Sequence, residues 1–358
     1  MIRTTTALSD GRPLHYYDAT GGVDRRTPDR RGLPSHTGAS ELRYSPLLDQ
    51  WVIYASHRQD RSYLPAANDC PLCPSTPERP TEIPAADYEV AVFENRFSAL
   101  MPGDPADATV ASALLGARPA AGRCEVVVYT PDHDAVFAEL SEQRVALVLD
   151  ALIDRTTELS RLPGVEQVFC FENRGREIGV TQPHPHGQIY AYPFLTPRTE
   201  TALRMARAYN RRSGNNLFDD LLSAEQEAGT RIVLRSEHWT AFVPHAARWP
   251  YELHCYPNRR VPDLAALDAA ALGELPGVLL DCFGRFHRLF DEPAPYIAAW
   301  HQAPVRHGRA DFACHLELFT IRRTADKLKY LAGSESAMDA FASDVLPEAA
   351  AERLRRAR

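Results

Sequence analysis

The sequence predicts a mixed α/β fold of the α+β type, with two related halves whose mainly antiparallel sheet is flanked by helices. Three observations carry that expectation. Short β-type runs recur from Tyr44 onward: WVIY at 51–54, YEVAVF at 88–93 and CEVVVY at 124–129, rich in the branched and aromatic side chains that strands favour. A helix follows, because Ser141 is a suitable N-cap and Val145, Val148, Leu149 and Leu152 return at spacings of three and four, on one helical face. The strand VFCFEN, a glycine-bearing loop and TQPHPHGQIY come next. The second half then repeats this order. HWTAFVPHA at 238–246 ends a strand in proline and histidine as CEVVVYTPDHDA does, a Leu- and Ala-rich helix begins after Asp263, YIAAWHQ reads as a strand, and CHLELFT stands where HPHGQIY stood.

Residues 1–40 carry six Arg, five Gly and six Thr with no apolar periodicity, a composition that predicts a poorly ordered arm. That leaves 41–195 and 196–358 as the two halves. A length of 358 residues suits one large domain or two fused ones. Apolar content of 44% and charged content of 24% are those of a globular chain, and no run approaches the roughly 18 apolar residues of a membrane span. The start MIRTTTALSD lacks the apolar core of a signal peptide, so a cytoplasmic location is expected. A net charge of −7 with pI near 6.0 argues against nucleic acid or an anionic membrane as partner, so any phosphate site must be local. Of seven cysteines, Cys124, Cys170, Cys255, Cys282 and Cys314 stand far apart and are expected as free buried thiols.

Cys70 and Cys73 lie in DCPLCPS. Their spacing lets one turn bring both sulfurs to the same side, as a zinc site requires, whereas a redox pair would prefer a strand-to-helix setting. Two more ligands are needed. His133, which follows a strand end 60 residues beyond Cys73, and His184, 51 residues further, are candidates; spacing alone equally permits His184 with His186.

Pro185 disfavours helix and removes a ladder donor, which predicts an extended segment at a sheet edge or bend. In such a segment His184, His186 and Gln188 share one face at intervals of about 6.6 Å. If His184 is fixed to zinc, His186 becomes the natural nucleophile toward phosphorus. Its neutral imidazole is available near physiological pH, with the tautomer chosen by a bond to its other nitrogen. Gln188 can donate to a phosphoryl oxygen without losing a proton, and Gly187 is expected to let backbone approach the phosphate.

FENRGREIGVTQPHPHGQIYA resembles the active-site signature of the galactose-1-phosphate uridylyltransferases, a branch of the histidine-triad superfamily in which Gln stands where other branches have a third His. The resemblance spans roughly residues 41–345, since DCPLCPS, FENRFSAL, TPDHDAVFAEL, SEHWTAFVP, WHQAP and KYLAGSE follow in the family's order. It implies two histidine-triad-like halves and a double displacement. A histidine attacks the α-phosphorus of UDP-glucose, glucose 1-phosphate leaves, and galactose 1-phosphate takes the uridylyl group to give UDP-galactose.

Carried over by motif, the nucleophile is His186, and one Zn²⁺ per chain is held by Cys70, Cys73, His133 and His184. Arg58, Arg61 and Asn95 are implied as nucleotide contacts, and Asn173, Gly179, Thr181 and Gln188 as phosphate-side contacts. Lys329, Gly333 and Glu335 are implied near the sugar, partly across a homodimer interface; Ser334 replaces a tyrosine there. By themselves Arg58 and Arg61 would be a solvated pair and Asn95 or Asn173 turn residues.

Some relatives carry a second metal, often iron, on one Glu and three His. His301 and His315 match two of those histidines, but Glu317 stands at the third and Ala202 at the acidic position, with Glu200 two residues away. An altered or empty second site is expected. Two rival functions remain in view. One is an adenylyl-transferring phosphorylase acting on dinucleoside polyphosphates or ADP-glucose. The other is a zinc-stabilised binding module without turnover, in which His186 would be a ligand.

Overall fold

A computed structural model of the chain describes residues 1–35, 39–60, 65–103, 109–110 and 114–358. The first half comprises β1 (Ile2–Ala7), β2 (Pro13–Asp18), β3 (Glu41–Ser45), β4 (Gln50–Tyr54), β5 (Val90–Glu94), β6 (Thr109–Val110), β7 (Gly116–Pro119) and β8 (Arg123–Val128). Helix α1 (Glu142–Leu159) then leads to β9 (Gln167–Arg174) and β10 (His186–Tyr192). The second half adds α2 (Pro197–Ser213), α3 (Leu217–Ala228), β11 (Ile232–Arg235), β12 (Trp239–Phe242) and β13 (Tyr251–Pro257). It continues through α4 (Ala269–His287), β14 (Tyr296–His301), β15 (His315–Thr320), α5 (Gly333–Met338) and α6 (Pro347–Arg356).

Among the described residues, eleven strands form one antiparallel sheet in the order β1-β2-β5-β8-β10-β9-β14-β15-β13-β12-β11. The order is symmetric about the β9–β14 pair. Reading outward, β9-β10-β8-β5 is answered by β14-β15-β13-β12, with α1 and α4 at corresponding places in the chain. The two halves of the mixed α/β fold therefore share one sheet. Strands β4-β3-β7-β6 make a small separate sheet.

Alternation of side chains gives the large sheet two faces. On the back face Val145, Val148 and Leu152 of α1 and Leu275, Leu279 and Phe283 of α4 pack on Val127, Ile189, Leu316 and Leu318. Ser141 caps α1 as expected, its side chain accepting from Arg144 N at 3.2 Å, and Asp268 caps α4 in the same way from Ala271 N at 2.9 Å. On the front face α2 and α3 cover only the second half, where Ala206 and Phe218 meet Phe312 and Ala313. None of the described helices is long and apolar enough to cross a membrane.

One expectation is corrected and another is narrowed. The arm of residues 1–40 contains an ordered hairpin: β1 pairs with β2 and β2 with β5, burying Leu14, Tyr16 and Tyr17. Its polar composition misled because its charges are matched at short range, Arg12 bonding to Asp10 Oδ2 at 2.8 Å and Glu82 Oε2 at 2.7 Å. The His-Pro-His stretch lies at a bend, but β10 runs inside the sheet between β8 and β9. Pro185 sits just before the ladder, so its missing donor costs no strand pairing.

Candidate active site

The bend at Pro185 separates the two histidines. His184 points into a buried cluster with Cys70, Cys73 and His133, whose ligand atoms all lie within 4.8 Å of one another. Cys73 Sγ is 3.5 Å from His133 Nδ1 and 3.6 Å from His184 Nδ1, and Cys70 Sγ is 3.7 Å from His184 Nδ1. The far nitrogen of His184 is anchored by donation to the Thr130 carbonyl at 2.8 Å, which fixes the ring with Nδ1 toward the sulfurs. Burial, with Cys73 alongside, pushes the Cys70 thiol up to about 12, and burial lowers His184 to about 4. Thiolates can persist there only beside a cation, and this donor set can hold a metal ion.

The loop carrying the cysteines is braced from two sides. Thr81 Oγ1 donates to the Cys73 carbonyl at 2.6 Å, and Glu82 N to the Pro71 carbonyl at 3.0 Å. Glu82 also accepts from Arg31 and Arg12 at 2.7 Å each, so the N-terminal hairpin helps to hold the metal loop.

His186 opens β10 and lines a front-face cleft of 640 Å³, within the range of small-ligand sites. Its Nδ1 lies 2.7 Å from the His184 carbonyl oxygen. A carbonyl only accepts, so Nδ1 carries the proton and Nε2 keeps its lone pair. Burial lowers its basicity. The cleft also brings together Arg58, Asn95, Asn173, Gly179, Thr181 and Gln188 from five segments of the sequence-derived set. Gly179 has φ +80°, the left-handed conformation that favours glycine, and closes the short turn before Thr181. Asn95 Oδ1 accepts from Phe97 N at 2.9 Å, a turn contact at the cleft wall.

Other expected residues are elsewhere. Arg61 lies outside the described residues. Lys329, Gly333 and Glu335 do not line this cleft; Lys329 Nζ bonds to Glu335 Oε1 at 2.8 Å beside the short helix α5. Gly187 faces the back of the sheet, so close phosphate approach is not why it is glycine: a Cβ there would overlap the Tyr129 hydroxyl. Sequence reasoning missed Phe171 and Tyr190, which line the cleft. Strand alternation could have found them, since they share faces with Asn173 and with Gln188.

The second half presents a different cluster on the same face. Glu317 Oε1 accepts from Arg198 Nη2 of α2 at 2.6 Å, and lies 3.4 Å from His315 Nε2 and 3.6 Å from His254 Nε2. His301 Nε2 is 3.3 Å from Glu317 Oε2, and His254 bonds to Glu252 at 2.8 Å. Burial opposes the charge on Glu317, yet His301 and His254 hold it well below the usual carboxylate range. His254 and Arg198 had no role in the sequence reading. Alternation of Glu252, His254 and Tyr256 in β13 was the available signal for the first, and nothing local signals the second.

Comparison with known proteins agrees with this geometry. Residues 33–196 match the family model described as galactose-1-phosphate uridyl transferase, N-terminal domain, and residues 202–358 match its C-terminal domain. A galactose-1-phosphate uridylyltransferase of Streptomyces lividans is 50% identical over 366 residues, covering 99% of this chain and 98% of its own. A solved uridylyltransferase structure superposes with a TM-score of 0.79 at 30% identity, covering 88% of this chain and 98% of its own. An ADP-glucose phosphorylase from Arabidopsis thaliana, solved with bound ADP-glucose, shares the fold at a TM-score of 0.67 and 20% identity, covering 88% and 98%.

Proposed function

We propose the chemistry of this site from one premise: the chain belongs to the galactose-1-phosphate uridyl transferase family and is an enzyme that exchanges a uridylyl group between UDP-glucose and galactose 1-phosphate. The nucleophile is Nε2 of His186. Its lone pair forms a bond to the α-phosphorus while the bond from that phosphorus to the bridging oxygen breaks, and glucose 1-phosphate leaves with the electron pair. A phosphate oxygen of galactose 1-phosphate then attacks the same phosphorus, the N–P bond breaks, and His186 regains its lone pair. Nδ1 keeps its proton throughout, donating it in the hydrogen bond to the His184 carbonyl. The observation that carries this reading is that one bond, which fixes the tautomer of the cleft-facing imidazole with Nε2 free to attack.

Gln188, on the same face two residues on, donates to a phosphoryl oxygen, and Arg58 offers a cation to the diphosphate. The cluster of Cys70, Cys73, His133 and His184 suits zinc. Zn–S of about 2.3 Å and Zn–N of about 2.0 Å in a tetrahedron imply S···N edges near 3.5 Å, and the sulfur–nitrogen distances run from 3.5 to 3.7 Å. Zinc there would neutralise the thiolates, and Cys70, Cys73, His133 and His184 would hold it next to the carbonyl that orients His186. In the second half, the guanidinium of Arg198 balances Glu317 where a metal would otherwise do so. We propose one zinc and no iron per chain, and a homodimer in which Lys329, Gly333 and Glu335 complete the sugar site.

His186→Gly tests the assignment. Retained metal with lost exchange activity supports it, while loss of metal makes His186 a ligand and favours a binding module. Intact mass after UDP-glucose or ADP-glucose alone distinguishes uridylyl from adenylyl transfer; mass gain with only ADP-glucose would overturn the substrate assignment.

A further inference from the structure

Glu172 takes no part in the transfer described above. It lies on β9 beside Asn173, and alternation turns it from the cleft to the back face, where the residue is 4% exposed. A carboxylate in an apolar interior costs several kcal/mol unless its lone pairs are used. One phenol donates to it and a second stands beside it. Tyr296 Oη of β14 donates to Oε1 at 2.6 Å, and the Tyr129 side chain, just past β8, lines the same small cavity as this carboxyl. Burial, with Glu172 nearby, raises both phenols well above their ordinary range, so both remain donors.

Tyr129 also lies directly behind the nucleophile. Its backbone N–H donates to the Pro185 carbonyl at 3.3 Å. Its hydroxyl occupies the space where residue 187 would project a Cβ, and the Phe171 carbonyl oxygen is 3.1 Å from that same point. Gly187 separates His186 from Gln188, the two side chains that face the phosphate. The segment carrying both is therefore seated on a phenol oxygen, and that phenol shares a cavity with a carboxyl that is itself held from the other half of the sheet.

We propose that Tyr129, Glu172 and Tyr296 form a positioning bridge that fixes the His186–Gly187–Gln188 segment in the sheet, so that the half without a nucleophile supports the half that has one. None of the three touches substrate. The bridge acts through geometry, and a displacement of about 1 Å at a reacting centre can cost on the order of 100-fold in rate. The inference rests on His186 being the nucleophile.

The test is the rate of uridylyl-adduct formation at saturating UDP-glucose, measured by rapid quench on the full chain, with KM and metal content determined alongside. Tyr129→Phe and Glu172→Gln are each expected to lower the saturating rate by roughly 10- to 100-fold, with KM within about twofold and metal unchanged. Gly187→Ala should be slower still, and combining it with Tyr129→Phe should restore part of the rate, because the overlapped oxygen is gone. A purely structural role would lower the melting temperature while leaving the rate per folded molecule intact. Should Glu172→Gln not fold, Tyr296→Phe, which removes one hydroxyl, takes its place. Unchanged saturating rates, or a double variant no faster than Gly187→Ala, would overturn the bridge alone. No adduct in the unaltered chain would overturn the nucleophile assignment and the bridge with it.

Discussion

The two halves of the sheet begin from one plan and finish with opposite chemistry. In the first half, β10 turns His186 and Gln188 to a front face that none of the described α-helices covers, and a cleft results. In the second, β15 turns His315 and Glu317 to the same face, but α2 and α3 lie over it and Arg198 closes it with an ion pair. The buried ligands differ correspondingly. Cys70, Cys73, His133 and His184 include no cation of the chain's own and call for a metal, whereas Glu317 carries its guanidinium with it. The lesson is that a repeated fold fixes where polar rows point, and what covers each row decides whether it can react.

The sharpest way to break that contrast is to remove one group from each cluster. Cys70→Ser should lose the metal and cost several kcal/mol of stability, less than the about 10–16 kcal/mol of isolated zinc modules, because a large apolar core remains. Glu317→Gln should leave the metal at one per chain. Elemental analysis with thermal melts checks both, and a Glu317→Gln chain that loses its metal would erase the distinction.

A smaller effect is expected at the ion pair. Arg198→Met should destabilise the chain by about 1–3 kcal/mol, since a buried carboxylate loses its charged donor. It should also let Glu317, His301 and His315 take up a divalent ion, which equilibrium dialysis would detect. Two tightly held ions in the unaltered chain would contradict the reading of Arg198 as the resident cation.

Acid should loosen the second half in a defined window. Burial lowers His315 to about 4, so between the ordinary histidine value of about 6.5 and that point the unfolded chain binds a proton that the folded ring refuses. The contribution is complete above that window and is lost as pH falls through it. Glu317 acts with the same sign at lower pH, through its depressed carboxyl. His315→Gln should flatten the stability profile between about pH 6.5 and 4 by on the order of 1–3 kcal/mol, as read from denaturant melts. An unflattened profile would mean that the ring already titrates normally.

The smallest differences are expected where the halves are alike. Ser141→Ala and Asp268→Ala each remove the cap of an equivalent helix and should each cost about 1 kcal/mol in melts. A large asymmetry between them would show that α1 and α4 do not share one structural role.

Much of this was legible in the sequence because it is local. Ser141 announces α1, the β-type runs announce β4, β5 and β8, and the spacing of Cys70 and Cys73 announces a pair able to hold a metal ion. The halves themselves were visible as repeated order. What stayed hidden depends on distant partners. Arg198 meets Glu317 across 119 residues of chain, and the N-terminal hairpin is polar in composition but folded through matched charges. Gly187 read as a phosphate contact because its strand face was unknown; only the register with Val127 of β8 and the Tyr129 hydroxyl behind it give the reason.

The most direct measurement is a peptide map of the chain quenched after exposure to UDP-glucose without acceptor. We expect a single uridylyl group, bonded to Nε2 of His186 and discharged on adding galactose 1-phosphate. A label on another side chain, or none under conditions where exchange proceeds, would contradict the central claim that this one unligated imidazole carries the group.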